Sequence, residues 1–211
     1  MTSVSWVFLV IACAAAVLDW AAVARESALL EYVSKPTTTL ALLATALSVD
    51  VAHDVTWAWR IAALAFCVLG DVFLMLPRDA FVPGLASFAV AQVLLVISFV
   101  SDDVHVGRLV VGLVVTVPVA VLLARRFVSA IRRVGRPELV APVVVYLVVI
   151  SAMAVTSIAA GAVVAVVGAL LFMLSDSLIA ESRFVKERAW HGVGIMVTYH
   201  LALAGLVLGL L

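Results

Sequence analysis

Residues 138–180 read ELVAPVVVYLVVISAMAVTSIAAGAVVAVVGALLFMLSDSLIA, an almost unbroken apolar run whose only charges are Glu138 and Asp176. As a single helix it would be ~65 Å long, about twice the hydrocarbon thickness of a bilayer. The run therefore predicts two spanning helices in a tight hairpin, broken near Thr156-Ser157. Regular apolar–polar alternation is absent, which excludes the strands of a membrane β-barrel.

The rest of the chain has the same character. Of 211 residues, 66% are hydrophobic and only 12% are charged, about half the charged share of a soluble domain. Mean hydropathy is +1.30. A soluble domain of this length leaves too much surface exposed to hide so many apolar side chains. Intrinsic disorder needs the opposite composition. Thirteen acidic residues balance thirteen basic ones, so no basic excess points to nucleic acid. Cys13 and Cys67 lie in apolar runs without CxxC spacing, and the four histidines are scattered; neither a metal nor a cofactor is expected. The chain reads as an all-α integral membrane protein with a single transmembrane domain, 1–211.

Dividing the sequence at charged and turn-like breaks gives eight candidate spans: 4–24, 34–50, 57–76, 81–100, 104–124, 138–156, 158–180 and 190–210. The first has no basic residues ahead of it and is long enough to span, so it reads as a helix rather than a cleaved leader. The loops after the odd-numbered helices carry Arg25, Lys35, Arg78, Arg125, Arg126, Arg132, Arg133, Arg136, Arg183, Lys186 and Arg188. The opposite side has Arg60 and Arg108. The positive-inside rule places the odd loops in the cytoplasm and both termini outside, in a cell membrane of bacterial type. Trp6, Trp20, Trp57, Trp59 and Trp190 lie near predicted helix ends, as an interfacial aromatic belt requires. The segment RRFVSAIRRVGR, 125–136, concentrates five arginines. It reads as a topogenic loop or as a site for anionic lipid headgroups.

Against this background the intramembrane polar residues stand out, because a charge at the centre of a spanning helix costs at least ~2.5–3.5 kcal/mol on insertion scales. Asp71, in LGDVFLM (69–75), and Asp176, in LSDSL (174–178), fall in helices that run the same way. Near the same helix end, the two carboxylates are expected ~8–9 Å inside the cytoplasmic boundary, at one depth. Each follows a small residue, Gly70 or Ser175, which permits close helix approach. Asp19 lies nearer the end of its helix and is expected to have a structural role. Lys35-Pro36 opens the second helix, where proline is tolerated; Lys35 either snorkels to the headgroups or reaches a substrate phosphate or one of the acids. Tyr199 and His200 in the last helix are candidates for substrate contact or proton transfer, and Gln92 for a helix–helix hydrogen bond or substrate contact.

The polar landmarks recur in the two halves, 1–102 and 103–211. Lys35-Pro36 is echoed by Arg136-Pro137, Gly70-Asp71 by Ser175-Asp176, and Gly84 with Gln92 by Gly192 with His200. Such recurrence suggests two parallel four-helix repeats with a site at their interface.

These pieces, in this order, resemble the YhhN-like lysoplasmalogenase family of multi-spanning membrane proteins. The matching motifs are Lys35-Pro36, GDVFLML (70–76), FVPGLASF (81–88), LFMLSDS (171–177) and MVTYHLA (196–202), and the resemblance covers nearly the whole chain. Gln92 and His200 depart from the pattern, which leads one to expect His and an aromatic residue there. The resemblance implies hydrolysis of the vinyl ether bond of lysoplasmalogens to a fatty aldehyde and glycerophosphoethanolamine or glycerophosphocholine. Asp71 and Asp176 fall on its acidic motif positions.

Two carboxyl groups suit that chemistry. A carboxylic acid protonates the electron-rich β-carbon of the vinyl ether. A second, ionised carboxylate stabilises the resulting oxocarbenium ion and directs water to the α-carbon, as in glycoside hydrolysis. The sequence leaves open which aspartate takes which part. The expected partners are a lysophospholipid substrate and the bilayer itself. Lys35, Gln92, Tyr199 and His200 are candidate substrate-binding residues, and the site is expected to open to the cytoplasmic leaflet. Buried acids in a repeated bundle also suit a proton-coupled transporter with Asp71 and Asp176 as relay sites, or a scaffold whose acids hold helices together.

Overall fold

The computed structural model describes residues 1–52, 54–76 and 80–211. Among the described residues there are eight α-helices and no strand: α1 Ser3–Ala24, α2 Ala28–Ser48, α3 Val55–Met75, α4 Phe81–Ser101, α5 Val106–Arg133, α6 Val140–Ala160, α7 Val163–Ala180 and α8 His191–Leu208. Pro77 and Arg78 lie outside the described residues. Seven helices are long and apolar enough to cross a membrane, and α2 is the exception. It carries Glu31, Lys35 and a run of Ser and Thr, which dilutes its apolar character although it is 21 residues long.

Local chemistry explains most of the boundaries. Thr2 and Ser5 form a reciprocal cap at the start of α1, and the Asp54 carboxylate accepts from the Trp57 N–H at 2.8 Å to open α3. The α6–α7 hairpin is real, but its turn sits at 161–162 rather than at Thr156-Ser157. Those two hydroxyls donate back to Ala152 and Ala154 carbonyls of their own helix, so they continue it. Gly161 ends it, with φ +86°, a left-handed conformation that favours glycine. The Arg108 guanidinium fills the space a Cβ would need there.

The start of α2 also departs from the sequence expectation. The helix begins at Ala28, so Lys35 and Pro36 lie inside it rather than at its first turn. The Thr37 and Thr38 hydroxyls donate to carbonyls four residues earlier, which keeps polar groups satisfied around the proline.

Sequential helices pair as α1 with α2, α3 with α4, α5 with α6 and α7 with α8; α2 also meets α8, and α4 meets α6. Leu95, Phe99, Ile150, Met153, Phe172 and Leu203 are among the largest fully buried side chains of the core. Small residues allow the closest crossing: a Cβ on Gly168 would lie 2.8 Å from the Ala202 carbonyl oxygen of α8. At the end of the bundle away from Asp71, Arg60 is buried. It donates to the Ser98 hydroxyl at 2.9 Å, to the Gly209 carbonyl at 2.9 Å and to Asp102 at 2.8 Å, and it stacks on Phe99. It is a clamp between α3, α4 and the C-terminal end rather than a loop residue.

Candidate functional site

Asp71 and Asp176 each lie four residues before the end of their helix, ~6 Å in. For Asp71 that is closer to the helix end than expected, whereas beyond Asp176 the helix runs on into the π-turn Glu181–Val185.

Asp71 has no exposed surface. Its Oδ2 accepts from the Thr39 hydroxyl at 2.7 Å and the Tyr199 hydroxyl at 2.9 Å. Its Oδ1 faces the Lys35 Nζ at 3.5 Å. Lys35 and Thr39 are one turn apart on α2 and so present the same side to α3. Lys35 is buried, directed at the acid rather than at the headgroups. Tyr199 is held in place by edge-to-face contacts with Phe88 and Phe172. Gly70 makes room for this arrangement: a Cβ there would lie 2.6 Å from the Phe88 ring.

Asp176 has a sparser polar environment. Tyr146 of α6 donates a hydrogen bond to its Oδ2, and Asp176 lines a largely apolar pocket with Leu74, Phe81, Phe88, Phe127 and Phe184. The pocket volume is about 50 Å³, room for a water or two. Phe88 borders both this pocket and Tyr199. At the pocket mouth Arg183 stacks on Phe81 at 4.2 Å. Beside it, Arg126 forms a two-pronged ion pair with Glu181. The chain is wound as a single π-turn over Glu181–Val185, which carries Phe184 and Arg183 to the mouth.

The remaining candidates divide. Tyr199 joins the Asp71 cluster directly. His200 does not touch either of the two acids through a hydrogen bond: its Nδ1 accepts from the Trp20 indole N–H at 3.1 Å, and its Nε2 faces Asp19 at 3.9 Å. Asp19 is fully buried and accepts from the Ser34 hydroxyl at 2.8 Å. The two clusters therefore lie side by side, since Ser34 and Lys35 are neighbours on α2 and Tyr199 and His200 on α8. Gln92 is fully buried next to Tyr146. Tyr146, Thr39 and Ser34 escaped the sequence reading.

The model of the YhhN family matches residues 30–210. Among curated proteins the chain is similar to lysoplasmalogenase TMEM86B of Homo sapiens, at 34% identity over 140 residues. That alignment covers 66% of this chain and 58% of the human protein, so the chain spans under two thirds of the relative's length. No solved structure matches the chain.

Proposed function

Because the chain belongs to the YhhN family, we propose that it is an intramembrane hydrolase that cleaves the vinyl ether bond of lysoplasmalogens, giving a fatty aldehyde and glycerophosphoethanolamine or glycerophosphocholine. The observation that carries the reading is the pair of intramembrane acids with unlike surroundings, Asp71 buried and Asp176 half-buried. Asp71 faces a lysine and accepts two hydroxyl hydrogen bonds, an environment suited to a carboxylate. Asp176 meets one tyrosine hydroxyl at the end of an apolar pocket, an environment suited to a carboxylic acid. The name of the human relative supports the substrate class.

In this mechanism Asp176 gives its proton to the β-carbon of the vinyl ether. The ether oxygen then shares its lone pair with the α-carbon as an oxocarbenium ion, which the Asp71 carboxylate stabilises. Water attacks the α-carbon and loses a proton to Asp71. The hemiacetal collapses: Asp71 gives its proton to the glycerol oxygen as that C–O bond breaks, and the hemiacetal hydroxyl proton passes to Asp176, which restores both acids. One water is consumed and no cofactor takes part. Tyr146 and Tyr199 orient the two acids, and Gln92 lies where it can meet the substrate. Since Lys35 is committed to Asp71 and Arg126 to Glu181, the substrate phosphate falls to Arg183 at the pocket mouth.

The same reading takes α2 as an eighth span and 1–102 and 103–211 as parallel repeats. The matched pairings of α2 with α8 and α4 with α6 support it. Both termini then lie outside, and the site faces the cytoplasmic leaflet.

The test is aldehyde release by detergent-purified protein across a panel of vinyl ether, alkyl ether and ester lysolipids. Asp71→Asn and Asp176→Asn are each expected to lower the rate per folded molecule at least ~100-fold. Full activity in either variant overturns the two-acid mechanism. Wild-type protein that releases no aldehyde in detergent, but moves substrate in sealed vesicles under a proton gradient, overturns the hydrolase reading in favour of a carrier.

A further inference from the structure

We propose that the outward side of the last two turns of α5 binds the phosphates of anionic phospholipids, at a site separate from the Asp176 pocket. α5 has 28 residues, about eight more than a bilayer requires. Arg108 and Arg125 bracket sixteen residues of it, ~24 Å of helix, so Arg125 stands at the headgroup boundary and Arg132 and Arg133 just beyond it.

The overhang is two-sided. Phe127, Ala130 and Ile131 are buried and pin it to the apolar cluster around Phe81, Leu139 and Phe184. On its other side Arg125, Val128, Ser129, Arg132 and Arg133 line one groove, spaced as neighbours on a single helix side. All three arginines are exposed. Arg133 donates to the Ser129 hydroxyl at 2.8 Å, which holds its guanidinium in the groove. Arg125 and Arg132 form no ion pair among the described residues, whereas Arg126, which points the other way, is taken by Glu181. No Asp or Glu occurs between residues 104 and 137, so nothing on this helix neutralises the groove.

A topogenic loop needs charge but no rigid display. Here the charges stand on a helix fixed from behind, at headgroup depth, in an array that can fork onto phosphate oxygens. The occupant is the anionic lipid of the surrounding leaflet.

The proposal does not rest on the hydrolase reading and is tested without it. Native mass spectrometry of the detergent-purified protein compares retention of phosphatidylglycerol with phosphatidylcholine of the same chain length. Wild type is expected to prefer phosphatidylglycerol at least ~tenfold, with the preference falling as salt rises. The triple variant Arg125→Gln, Arg132→Gln, Arg133→Gln is expected to lose it. Arg25→Gln, an exposed arginine elsewhere, is expected to keep it. A triple Arg→Lys variant retains the charge and is expected to lose several-fold, because lysine lacks the fork. Equal retention of the two lipids by wild type, or an undiminished preference in the Gln variant, overturns the proposal.

Discussion

Lys35 and Asp71 are both buried, and their pairing is worth more as a constraint than as a source of stability. Removing one partner strands the other charge away from water, at a typical cost of ~3–5 kcal/mol. Lys35→Met is therefore expected to lower the detergent melting temperature markedly. The double variant Lys35→Met, Asp71→Asn is expected to recover much of the loss; strictly additive losses would show that the two side chains do not act as a pair. Arg60→Met is expected to destabilise in the same way, because Asp102 and the Gly209 carbonyl lose their donor, while aldehyde release per folded molecule stays unchanged. At this scale the acids were legible because a carboxylate in an apolar helix is rare enough to notice. Their hydroxyl partners were not. A Tyr in α6 or a Thr in α2 is unremarkable in sequence, and only packing brings Tyr146 to Asp176 and Thr39 to Asp71. The spacing of Lys35 and Thr39 was the one available hint. Arg60 shows the converse: its charge looks topogenic, and its burial is visible only in three dimensions.

At the scale of elements, charged and turn-like breaks and the length of the apolar runs located the eight described helices, and the departures have specific causes. Lys35-Pro36 looks like a helix start, yet residues 28–33 ahead of it are helical too, and the Thr37 and Thr38 hydroxyls fold back onto carbonyls of their own helix around the proline. The same chemistry at Thr156 and Ser157 carried α6 on to Gly161. Contacts between helices depend on where a side chain is missing. Gly168→Val would drive carbon into the backbone of α8, including the Leu206 amide nitrogen at 2.8 Å from the new Cβ. Backbone cannot yield as a flexible side chain can, so the expected loss is at least ~1–3 kcal/mol, read as a lower melting temperature. Gly107→Ala is the contrasting case. Nothing lies within 4 Å of its Cβ position, and the added methyl is expected to be neutral or stabilising by up to ~1 kcal/mol. Equal effects of the two substitutions would show that the α7–α8 crossing does not depend on close approach.

For the whole molecule the asymmetry of charge is sharper in three dimensions than along the chain. Arg60, counted by sequence on the poorly charged side, is internal and paired. Arg108, the other, is packed beneath the α6–α7 turn at Gly161. Neither is a free loop cation, whereas Arg125, Arg132 and Arg133 stand exposed at the opposite end of α5. Helix insertion responds to basic residues close to the spans, so the end bearing those arginines is expected in the cytoplasm. Asp71 and Asp176, which lie near the same end of α3 and α7, would then draw substrate from the inner leaflet. Single cysteines test this in a Cys13→Ala background, with Cys67 left in place because it is buried. A cysteine at Val134, between α5 and α6 and 52% exposed, should react with an impermeant maleimide only after the membrane is opened. A cysteine at Asp103, in the exposed turn before α5, should react in intact cells. Because α5 alone separates the two positions, labelling of both from one side would mean that α5 does not cross the membrane. A reversed pattern would move the acid pair, its pocket and the arginine groove to the outer leaflet together, and the lipid supply to the site with them.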